Sequence, residues 1–92
     1  MPIHLLPSLP YLTALERTGA LAAHSIAFED SLSGVRAAAA AGLAVVGMMT
    51  TLDSRTLIEA GATFAASNFT DPRIFELIEA RINSGADEGA KA

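Results

Sequence analysis

The sequence predicts an α/β fold: a parallel sheet of about three strands, each joined to the next through a flanking helix. Three observations carry this. Short apolar runs at 25–28, 43–48 and 62–67 alternate with helical patterns. Gly19, Gly42 and Gly61 each punctuate one helix-to-strand step. The connections are short, and short strand–helix–strand units in one sheet make right-handed parallel crossovers.

In chain order, Pro10 suits the first turn of a helix over 10–18, with Leu12 and Leu15 on one face and Gly19 closing it. The run 25–28 is short and bulky enough for a buried parallel strand. Ser31 or Ser33 can cap a helix over 33–41, whose alanines are strong helix formers and whose stop is Gly42. A second, continuously apolar strand follows at 43–48, then a helix capped by Thr50 or Thr51 and ending before Gly61. The third strand, 62–67, is weaker because alanine has low β-propensity. Asp71-Pro72 opens a last helix, with Ile74, Leu77, Ile78 and Ile82 as its apolar stripe. Segment 83–92 is glycine, alanine and charge, and reads as a disordered tail.

Composition narrows the function classes. Ninety-two residues make one small domain, and 51% hydrophobic residues with a mean hydropathy of +0.40 is high for that size. A net charge of −4 and the lack of a basic patch argue against a nucleic-acid partner. Without cysteine there is neither a disulfide framework nor a thiolate metal site. No apolar run approaches the roughly 20 residues of a membrane span, and the start has no basic region of a signal helix, so the expected compartment is the cytoplasm.

Chemistry concentrates at Glu29 and Asp30, two adjacent carboxylates at the carboxyl end of the first strand. That is the edge of an open α/β sheet where ligands bind. Magnesium is commonly held by one or two carboxylates together with phosphate and water. Asp30 is therefore a candidate ligand, and Glu29 a second ligand or an outer partner. The plainer alternative is that Asp30 favours the positive N-terminus of the helix that follows, worth about 0.3–1 kcal/mol. Ser31 is a candidate phosphate contact at that terminus, although capping alone explains it. Gly34 allows either ligand approach or helix packing. Asp53 and Asp71 read as helix-start charges, and Met48 and Met49 as core fillers.

The run Phe28-Glu29-Asp30-Ser31-Leu32-Ser33-Gly34-Val35-Arg36-Ala37-Ala38-Ala39-Ala40-Ala41-Gly42 resembles the fourth motif of haloacid dehalogenase (HAD)-type hydrolases, in the branch of β-phosphoglucomutase and the small sugar-phosphate phosphatases. Pro10-Tyr11-Leu12, Ala14-Leu15-Glu16 and Gly19 are similar to the helix before that motif, and Val45-Val46-Gly47 to the strand after it. The resemblance implies the C-terminal part of a three-layer, Rossmann-like core over 10–82, preceded by a divergent segment at 1–9. It implies Mg2+-dependent phosphoryl transfer on a small phosphorylated metabolite such as a sugar phosphate, with Asp30 and Glu29 serving the metal.

The sequence also departs from the family. It contains no Asp-x-Asp nucleophile pair, no second-motif strand and no cap. Leu5, Leu6 and Pro7 stand where the family carries a motif lysine, and no lysine precedes Lys91. A chain so composed is expected to be inactive alone. The alternative is a non-catalytic half-domain that acts by association with another chain. The family places a nucleophile strand beside the strand ending in Glu29-Asp30, so the free edge of that strand is expected to invite self-association.

Overall fold

A computed structural model describes the backbone of residues 9–91 and the side chains of residues 10–82. Residues 1–8 of the divergent N-terminal segment lie outside the described residues. The elements are α1 (Leu9–Thr18), a 3-10 turn (Ala22–His24), β1 (Ile26–Glu29), α2 (Leu32–Ala40), β2 (Ala44–Met48), α3 (Ser54–Ala60), β3 (Phe64–Ala66) and α4 (Pro72–Lys91). The sheet is three-stranded and parallel in the order β1-β2-β3, with Ala27 beside Val45 and Gly47 beside Ala65.

Strand alternation divides the core in two. Ala27, Val45 and Ala65 point to the side of α2 and α3, where they bury Val35, Ala38 and Leu57, with Tyr11 of α1 packed against them. Val46, Met48 and Ala66 point to the other side and receive Ile74 and Leu77 of α4. The central strand β2 is buried along its whole length, as its unbroken apolar run predicts. Gly47 lets α3 close onto that strand, because a Cβ there would stand 2.9 Å from the Cβ of Leu57.

Two local expectations are corrected. The cap of α3 is Asp53, not Thr50 or Thr51. Its carboxylate accepts from the Thr56 N–H at 2.8 Å, and hydrogen bonds from Thr56 hold it below the usual carboxylate range. Asp outranks Thr as a cap, and the later start leaves Thr50 in the preceding loop. The last helix does not stop near Ile82 but continues to Lys91, so the backbone of 83–91 is helical rather than a disordered tail. Extending a formed helix requires no new nucleation. Gly19, Gly42 and Gly61, expected to end helices, all take positive φ.

Among the described residues, β1 is an edge strand. The Ser25 carbonyl accepts from the Ala44 N–H at 3.3 Å. In a parallel ladder that turns the backbone groups of Ser25, Ala27 and Glu29 toward β2 and those of Ile26 and Phe28 outward. Among the described residues, no helix is long and apolar enough to cross a membrane.

Candidate functional site

The carboxyl ends of all three strands meet the N-termini of α2, α3 and α4 along one rim, and Glu29 and Asp30 lie at its β1 corner. Adjacent in sequence, they face different surroundings. Glu29, the last residue of β1, points to the α1 and α2 side. There its Oε1 accepts from the Tyr11 hydroxyl, and Gly34 lies so close that a Cβ on it would overlap the carboxylate. The Tyr11 hydroxyl is pushed up to about 12 by burial first, then by its hydrogen bond to Glu29 and the charge of that carboxylate. Of the two readings of Gly34, the geometry selects close packing. It makes room for Glu29 at the first turn of α2.

Asp30 is exposed. Its Oδ2 accepts a long hydrogen bond, 3.4 Å, from the Thr50 hydroxyl in the loop after β2. With Phe28, Met48, Thr50 and Phe69 it lines a recess of about 310 Å³. Phe28 and Phe69 form an aromatic pair there, with ring centroids 5.4 Å apart. Ser31 is the N-cap of α2, and its Oγ accepts from the Gly34 N–H at 3.1 Å. One lone pair of that hydroxyl is thus committed to the helix.

The predicted residues therefore stand close in the chain without converging. Among the described residues, no group of three or more histidine and acidic side chains is placed to hold a metal ion. Asp30 alone faces open space with its carboxylate, while Glu29 can act on it only through the strand end and the α2 turn.

A larger recess, about 500 Å³, opens farther along the rim between α3 and α4 and is walled in part by Ser54, Ser67, Asn68 and Arg73. Size does not make it the better site. The Arg73 guanidinium is bound to Asp71 at 2.6 Å, donates to the Ala65 carbonyl at 2.8 Å and lies over the Phe64 ring, so its charge is already matched.

Sequence reasoning missed Tyr11 and Thr50 as neighbours of the carboxylates. Eighteen residues separate Tyr11 from Glu29, and twenty separate Thr50 from Asp30. No local spacing encodes either contact. No protein-family model and no solved structure matches this chain.

Proposed function

We propose that this chain is the C-terminal portion of a HAD-type, Mg2+-dependent phosphatase or phosphomutase that acts on small phosphate esters such as sugar phosphates. In this reading it is inactive by itself. The observation that carries the reading is Asp30, an exposed carboxylate at the carboxyl end of a parallel strand, directly before a capped helix and beside a recess. The resemblance of residues 28–42 assigns metal binding to that position.

In this reading Asp30 would hold the metal, whose bound charge would offset that of the phosphoryl group. Glu29 is a positioning residue. Tyr11 and Gly34 fix its carboxylate, and that contact locks the end of β1 against the first turn of α2. Ser31 holds the same turn by its cap and leaves the hydroxyl proton free to meet a phosphate oxygen. Thr50, in the loop after β2, donates a long hydrogen bond to Asp30. None of these groups is a nucleophile placed for in-line attack, and the sequence holds no Asp-x-Asp pair to supply one.

The test is turnover of a panel of sugar phosphates by the purified chain, with and without Mg2+, beside calorimetric titration of Mg2+ in the presence of inorganic phosphate. The expected result is no turnover and weak Mg2+ binding that Asp30→Ala abolishes. Mg2+-dependent turnover that Asp30→Ala removes would overturn the assignment of inactivity. Binding unchanged in Asp30→Ala would overturn the metal assignment.

A second reading has its own support. Among the described residues no strand pairs with the outward backbone groups of Ile26 and Phe28, which suits a half-domain acting by adding a strand from another chain. Proline at position 26 or 28 would then abolish association without loss of any metal binding.

A further inference from the structure

The apolar stripe of α4 is only half used by its own fold. Ile74 and Leu77 lie on the sheet, and Arg81 reaches the Ala23 carbonyl in the turn before β1. Phe75, Ile78 and Ile82 stay exposed. Their spacing of three and then four residues is that of a helix–helix seam. At about 100° per residue the seam adjoins the buried row on one flank of α4. With right-handed crossovers, and with α4 crossing from β3 toward the turn before β1, that flank faces β1. Phe28 emerges on the same side of the sheet, paired with Phe69.

We propose that Phe75, Ile78 and Ile82, continued by Phe69 and Phe28, form the two-fold interface of a homodimer, with α4 packed against α4 of a second copy. The area argues for this occupant. The exposures are 39% for Phe28, 68% for Phe69, 64% for Phe75, 36% for Ile78 and 63% for Ile82. At about 200 Å² for a whole large side-chain residue, the five leave roughly 500 Å² of apolar surface per copy. A standard interface takes about 800 Å² from each partner, of which about 60% is apolar, so the patch supplies what one half of a dimer needs. None of the five carries a charge, and a two-fold axis makes one such patch its own complement. The interface takes no carboxylate of the rim, although Phe28 and Phe69 also line the recess beside Asp30.

Sedimentation equilibrium of the full chain over a concentration series tests it. The expected species is a dimer whose dissociation constant rises at least ~100-fold in Ile78→Glu and about tenfold in Phe75→Ala. Far-UV circular dichroism is expected to stay unchanged, and the exposed α1 variant Leu12→Glu to dimerise as the parent does. A chain that remains monomeric throughout the series would overturn the proposal. So would a dimer that survives Ile78→Glu, or one lost only when the outer edge of β1 is blocked by Ile26→Pro.

Discussion

The two faces of the sheet differ in how completely the chain covers them. On one, α2 and α3 with Tyr11 of α1 enclose Val35, Val45 and Leu57 entirely. On the other, α4 covers Val46, Met48 and Ala66 but leaves Phe28 and its own outer flank in solvent. The same split runs through the carboxylate pair. Glu29 belongs to the closed side and is held by Tyr11, whereas Asp30 opens onto the recess beside Phe28 and Phe69. Both faces hold a buried core, but the second also leaves the open carboxylate of Asp30 and the exposed rings of Phe28, Phe69 and Phe75 on its side.

The largest expected effect breaks the closed face. Leu57→Ala should cost about 2–5 kcal/mol in urea unfolding, because Leu57 is fully buried against Gly47 and α2. Ile82→Ala, measured at concentrations too low for association, should stay within about 0.5 kcal/mol. Similar losses for the two would erase the contrast.

Gly34→Ala comes next. Its Cβ would displace the Glu29 carboxylate from the Tyr11 hydroxyl, a loss of about 0.5–1.5 kcal/mol that the higher helix propensity of alanine offsets in part, and the loss should be smaller when Glu29→Ala is already present. Strict additivity of the two substitutions would contradict the contact. Ser31→Ala should cost about 1 kcal/mol through loss of the α2 cap. Asp30→Ala beside it should leave the unfolding midpoint nearly unchanged, since its one side-chain contact is long and exposed.

The smallest effect is a titration. Tyr11 is the sole tyrosine, so ultraviolet absorbance follows it alone. Its midpoint should lie near 12 in the folded chain, and Glu29→Gln should lower it only in part, because burial, the larger cause, remains. The folded state holds this proton more tightly than the unfolded state does. The stabilisation is thus complete below about pH 10 and is lost as pH rises through the folded value near 12.

Most of the fold was legible in the sequence because its signals are local. The apolar run of β2, the Asp71-Pro72 helix start and the glycine stops each act within a few residues. Local signals failed where two compete, as Asp53 and the threonines at 50 and 51 did for one cap, and where composition stood in for cooperativity, as at the end of α4. The stripe on α4 was visible as a period, but the period does not say which of its residues the sheet can reach. Ile74 and Leu77 are reached, while Ile78 and Ile82 are not. The site was legible only as an adjacent pair of carboxylates. Their division between two faces depends on the strand alternation at Glu29 and on Tyr11 and Thr50, which arrive from distant elements.

The most direct test of that division is a Mg2+ titration read at individual backbone amides by NMR, on the parent chain and on Glu29→Gln and Asp30→Ala. Saturable shifts confined to the Asp30–Ser31 turn and the Thr50 loop, retained in Glu29→Gln and lost in Asp30→Ala, are the predicted result. Shifts centred on Tyr11 and Glu29, or shifts that persist in Asp30→Ala, would contradict it.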